Sequence, residues 1–149
     1  MGVEIKEDFM RLFVLTITFF VVATAWAQNT GKSITPLVFC SFRVTDVNHP
    51  RSYTFTTTKI FLDTPISYPN EKPIGAMTFY QFDPNFKVRI EKYFSNAEST
   101  ANQKVLHTFP TDGSWGGTNA ITTGDDLKVT TLVKLLNGIS MATEVNCKF

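Results

Sequence analysis

The sequence predicts an all-β domain, an antiparallel β-sandwich of about eight strands holding one disulfide, with a closed β-barrel as the alternative. Three observations carry this. Between residues 36 and 149 apolar and polar side chains alternate with period two, and no window shows apolar residues at helical spacing. Clusters of Pro, Gly, Asn and Asp break the alternation into short segments. The only cysteines, Cys40 and Cys147, lie near the two ends of this region, where one bridge would close almost the whole domain.

The 149 residues, 43% hydrophobic and 18% charged, fit one globular domain rather than a disordered or repetitive chain. Residues 1–27 stand apart. Leu12 to Val22 is an uncharged apolar run shorter than the roughly 18 to 20 residues a bilayer needs, and Ala25-Trp26-Ala27 is a small-x-small cleavage pattern. We therefore expect a signal peptide over 1–27, cut before Gln28, rather than a membrane anchor, and a secreted domain over 28–149. The leading segment is acidic, with Glu4, Glu7 and Asp8 against Lys6 and Arg11. Initiation at Met10 would supply the short basic start that export signals carry.

The first strand, Pro36 to Val44, sets Val38, Cys40, Phe42 and Val44 on one face. Asp46 to Pro50 turns the chain into Ser52 to Leu62, where Tyr53, Phe55 and Phe61 lie opposite Thr54, Thr56, Thr58, Ile60 and Leu62, a composition that suits a pleated, half-buried surface. Asp63 to Pro73 reads as a loop, because Pro65, Pro69 and Pro73 are poor strand-interior residues. Ile74 to Phe82 and Phe86 to Phe94 form a hairpin across Asp83-Pro84-Asn85. Pairing Phe82 with Phe86, Tyr80 with Val88 and Thr78 with Ile90 aligns their apolar sides. Phe86, Val88, Ile90 and Phe94 then face inward, and Lys87, Arg89, Glu91 and Tyr93 face water. A polar connection, Ser95 to Gln103, leads to a short strand, Lys104 to Phe109, a Gly-rich segment, Pro110 to Gly117, and a weak strand, Thr118 to Thr123.

The last hairpin carries the sharpest local signal. An Asn137-Gly138 two-residue turn would set Val133 beside Ala142 and place the two apolar faces on opposite sides. A three-residue loop, Leu136-Asn137-Gly138 with Gly138 left-handed, pairs Leu135 with Ile139 and Val129 with Val145 instead. That register faces Cys147 inward opposite Leu127, as Cys40 faces inward on the first strand. In an exported chain the two cysteines are expected to bridge rather than remain buried thiols. Closing about 100 residues is worth at most roughly 4.7 kcal/mol in the chain-entropy model. The ten phenylalanines of residues 28–149 are expected to provide a sufficient core for either arrangement.

Charge and motif content exclude several functions. A net charge of +1 with scattered basic residues gives no footprint for nucleic acid or for an anionic membrane surface. Two distant cysteines with only His49 and His107 do not form a metal site. Asp125, Asp126, Asp112 and Asp83 could offer calcium oxygens but fit turn chemistry better. No nucleophile has a recognisable base and orienting partner, so no enzyme is expected. Glu91 and Glu144, both on predicted wet faces, would pair as glycosidase carboxylates only by accident of topology. Asn-x-Ser/Thr sequons are absent, and no cofactor is implied.

Binding is the remaining class. Trp115 sits between glycines in Asp112 to Gly117; held outward it would anchor a protein or a sugar ring, but the expected arrangement folds it back over the core, since tryptophan is usually well buried. Asp112 beside it and Tyr68 in the Asp63 to Pro73 loop complete the candidate binding residues. Thr54, Thr56 and Thr58 form a polar row that could hold water or glycan. Tyr53 to Ile66 (YTFTTTKIFLDTPI), Thr122 to Val133 (TTGDDLKVTTLV) and the terminal Cys147 resemble the small secreted proteins of clade V nematodes. The resemblance implies export by a worm and contact with host tissue, and it transfers no catalytic residue. The expected function is thus a secreted, non-enzymatic protein binding an extracellular protein or glycan through its end loops. The alternative is a lipocalin-like barrel carrying a small apolar ligand.

Overall fold

The computed structural model describes residues 36–149. The signal peptide, its cleavage site and the choice between Met1 and Met10 lie outside the described residues.

Among the described residues nine antiparallel strands follow one another: β1 (Leu37–Asp46), β2 (Tyr53–Phe61), β3 (Thr64–Ile66), β4 (Gly75–Asp83), β5 (Phe86–Tyr93), β6 (Lys104–Pro110), β7 (Thr118–Thr122), β8 (Asp126–Lys134) and β9 (Ser140–Lys148), with one 3-10 turn at Glu98–Thr100. They build a four-stranded sheet in the order β2-β1-β9-β8 and a five-stranded sheet in the order β3-β4-β5-β6-β7. The chain starts in the first sheet, crosses after β2, runs through the second as a meander, and returns after β7 to close β9 onto β1. The sheets do not join into a barrel, since each keeps two edge strands. The barrel alternative therefore fails: Phe42, Phe86, Leu62, Ile90, Leu106 and Val145 lie fully buried between two open sheets.

The alternation read from the sequence is the alternation found. Val38, Cys40, Phe42 and Val44 of β1 and Leu127, Val129, Thr131 and Val133 of β8 all point inward and are buried. Val129 pairs with Val145 and Leu127 with Cys147, while Leu135 N–H donates to Ile139 O at 2.9 Å and Gly138 adopts φ +86°. These are the features of the three-residue loop. Cys40 and Cys147 face each other across neighbouring strands, bonded and buried, with Cα atoms 4.1 Å apart. The bridge therefore staples the first strand to the last within one sheet.

Four expectations are corrected. The Asp63 to Pro73 loop contains β3, which pairs Pro65 with Ala76; proline is accommodated because β3 is an edge. At the β4–β5 turn Asp83, not Phe82, opposes Phe86, because a bulge intervenes after Gln81 and the Asp83 carboxylate accepts the Asn85 N–H at 2.9 Å. Phe82 still turns inward and stacks on Phe42 at 4.7 Å. The ten phenylalanines do not together supply the core: Phe39, Phe55, Phe61 and Phe79 are exposed, and Val, Ile and Leu fill most of the interior. Glu91 is not wet. It lies buried on the outer face of the second sheet, with Arg89 Nε 2.8 Å from Oε1 and Tyr93 Oη donating to Oε2 at 3.0 Å. Burial first and the bond to Glu91 second raise the Tyr93 phenol pKa.

Candidate functional site

The strand order sorts the loops into two ends. One end carries the β1–β2, β4–β5, β6–β7 and β8–β9 connections, stitched by backbone bonds Val47 N–H to Ser140 O and Thr111 N–H to Asn85 O, each 2.9 Å. The other carries the β3–β4 loop, the β5–β6 connection and the β7–β8 crossing. Trp115 and Asp112 belong to the first end and Tyr68 to the second, about 25 Å away along the strands. The structure does not bring the three together.

Trp115 is 98% exposed, which overturns the expectation that it folds over the core. The loop that carries it is pinned on both sides, and the pins explain the exposure. Upstream, the Asp112 carboxylate accepts hydrogen bonds from the Ser114 hydroxyl and N–H, and its second oxygen accepts the Leu136 N–H of the β8–β9 loop at 2.8 Å. The Ser114 hydroxyl first, then the Leu136 N–H, hold the Asp112 pKa below the usual carboxylate range. Downstream, Gly116 sits where a Cβ would lie 2.6 Å from Val133 Cγ2, at φ +137°, and a Cβ on Gly117 would lie 2.9 Å from Thr108 O. Only glycine lets the loop press this closely onto the sandwich, and the compressed backbone leaves the indole directed outward. Leu136, Ile139 and Val47 are also exposed at this end. Asp46 and His49 border it, with Asp46 Oδ2 2.9 Å from His49 Nδ1; that contact, then the Asn48 N–H, lowers the Asp46 pKa.

At the opposite end Tyr68, Glu71, Ile74, Asn96, Glu98 and Thr100 line an open recess of about 450 Å³. Phe94 N–H to Ile74 O at 2.8 Å holds its two walls together. The lining is mixed and acidic. The remaining candidates are dispersed. His107 lies on the outer face of the second sheet against Phe109, remote from His49. Glu144 faces outward from the first sheet and pairs with Lys128 at 2.9 Å, so the two glutamates occupy opposite outer faces. Asp83 and Asp112 lie at one end and Asp125 and Asp126 at the other. Among the described residues no group of three or more His, Cys, Asp or Glu side chains could hold a metal, and no helix is long and apolar enough to cross a membrane.

Sequence reasoning missed the interior polar groups. Lys104 points inward at the start of β6, buried, and its Nζ donates to Thr123 O at 2.9 Å, tying down the β7–β8 crossing. Thr108 and Thr131 share a hydrogen bond across the sheets, while the neighbouring Thr143 hydroxyl is buried without a partner. The inward parity of Lys104, two residues before Leu106, was the available signal for the first. No known protein family, curated protein or solved structure matches the chain.

Proposed function

We propose that this is a secreted, non-enzymatic interaction protein that inserts Trp115 into a pocket on an extracellular partner protein. The observation that carries the proposal is the outward, 98% exposed indole on a loop fixed by Asp112, Gly116 and Gly117. An exposed tryptophan on a preorganised loop loses little conformational entropy on binding and buries a large area, the profile of an interface hot spot. Leu136, Ile139 and Val47 give this end apolar company, which suits a protein surface better than a sugar ring hemmed by hydroxyls. The disulfide is compatible with an oxidising, extracellular setting, and the resemblance to small secreted nematode proteins supports export toward host tissue.

The test is a binding screen against a panel of extracellular proteins and a glycan array, with wild type and Trp115→Ala side by side. The expected result is a protein hit weakened by roughly thirtyfold or more in the variant, the loss of a hot-spot side chain. Hits that ignore Trp115→Ala, or binding confined to glycans, would refute the proposal. Trp115 is the only tryptophan of residues 28–149, so its fluorescence reports the contact directly.

A further inference from the structure

Among the described residues the four sheet edges are not alike. β3 has three residues and contains Pro65, and β7 has five residues. β8 carries Asp126, Lys128 and Lys134 on its outward row. Each of these edges is short, interrupted or charged, the features that prevent strands from adding. β2 is different. It is nine residues long, has no proline and no bulge in its register with β1, and carries a single charge, Lys59. Its outward side chains Tyr53, Phe55 and Phe61 are 53%, 61% and 59% exposed.

The direction of its free hydrogen-bonding groups is fixed. Leu62 N–H donates to Pro36 O at 2.9 Å, so the even-numbered residues of β2 bond β1 and the odd-numbered ones aim their N–H and C=O groups at the open edge. The odd-numbered groups are Tyr53, Phe55, Thr57, Lys59 and Phe61, an array symmetric about Thr57.

We infer that β2 is a self-pairing strand: two copies of the chain join β2 to β2 antiparallel about a two-fold axis at Thr57, fusing their first sheets into one eight-stranded sheet. This register uses all nine residues and satisfies up to about ten main-chain hydrogen bonds. It sets Thr57 opposite Thr57, Phe55 opposite Lys59 and Tyr53 opposite Phe61 of the second copy. The side-chain chemistry already exists within one copy, where Phe39 pairs with Lys59, whose Nζ lies 5.4 Å from the ring centroid, and Arg43 pairs with Phe55 while its guanidinium lies 4.2 Å over Tyr53. Across the dimer the row Phe39, Lys59, Phe55, Arg43 therefore alternates aromatic and cation without a break, each step a favourable cross-strand pair. Because the paired strands are antiparallel, the two Trp115 ends point in opposite directions. A bridging role for the dimer rests on the Trp115 proposal; the pairing does not.

The test uses sedimentation velocity of residues 28–149, disulfide intact, over a wide concentration range. Wild type is expected to pass from monomer to dimer and no further. Thr57→Pro removes only an edge-directed N–H and leaves the bonds to β1, so it should weaken the dimer by roughly tenfold or more at unchanged thermal stability. Phe55→Lys places like charges opposite Lys59 of the second copy and should also weaken the dimer, with some loss of thermal stability because it faces Arg43 within its own copy. Phe55→Glu places opposite charges there and should keep the dimer, which separates register from mere loss of an aromatic. Trp115→Ala should leave dimerisation untouched, so the two proposals fail separately. A wild type monomeric at every concentration, open-ended oligomers, a dimer indifferent to Thr57→Pro, or an edge that takes foreign peptides while the protein stays monomeric would each overturn the inference.

Discussion

β2 and β8 are both nine-residue edge strands of the same sheet, read from the sequence by the same period-two rule, yet they live in different surroundings. β8 lies over β6 and β7, and its Leu127, Val129, Thr131 and Val133 are all buried. β2 extends past the second sheet, so only Ile60 is buried within it, and Thr54 and Thr56 face open space from the inward side. Alternation specifies which residues share a face. It does not specify whether anything covers that face, because coverage is decided by a strand elsewhere in the chain.

The largest way to break this contrast is to cut the bond that ties β1, the neighbour of β2, to β9, the neighbour of β8. Cys40→Ala with Cys147→Ala should cost about 2–5 kcal/mol in denaturant unfolding, because the bridge closes a separation of 107 residues. Next in size is truncation under the covered strand. Leu127→Ala should cost about 2–5 kcal/mol, whereas Thr56→Ala on β2 should stay within about 0.5 kcal/mol, the range of surface changes. Equal effects at the two sites would erase the distinction.

The buried threonines sharpen the contrast further. Thr131→Val leaves the Thr108 hydroxyl without its partner and should cost about 1–3 kcal/mol. Thr143→Val removes a buried hydroxyl that has no partner and should be neutral or stabilising by up to about 1 kcal/mol. Of two changes of identical chemistry on paired residues, one thus costs stability and the other does not.

The smallest effect concerns pH. The Asp112 pKa is lowered in the folded state, so its contribution is complete above the ordinary carboxylate value of about 3.9 and is lost as pH falls through the lowered one. A lower protection factor for the Leu136 amide, taken against its intrinsic exchange rate at the same pH, and freer Trp115 motion are expected at acid pH, with Asp112→Asn reproducing both at neutral pH. A Leu136 protection factor that acid leaves unchanged would remove Asp112 as the pin.

Much of the fold was legible because both partners of a contact were visible locally. The β8–β9 loop length followed from requiring two adjacent apolar faces to coincide, and the inward Cys40 and Cys147 followed from the same parity. β3 was hidden by Pro65, which is forbidden in a strand interior but harmless on an edge. Phe39, Phe55 and Phe61 suggested core by composition, yet they lie on the outer face of the first sheet, a placement that depends on the sheet order. Trp115 was located in the right loop, but its exposure depends on Gly116 meeting Val133, a contact between residues far apart in sequence.

Amide hydrogen exchange along β2 in dilute, monomeric protein addresses the central claim most directly. Thr54, Thr56, Thr58 and Ile60, bonded to β1, should be protected, and Phe55, Thr57, Lys59 and Phe61 should exchange rapidly. Uniform protection across these residues, or the opposite parity, would contradict an open β2 edge and the architecture derived around it.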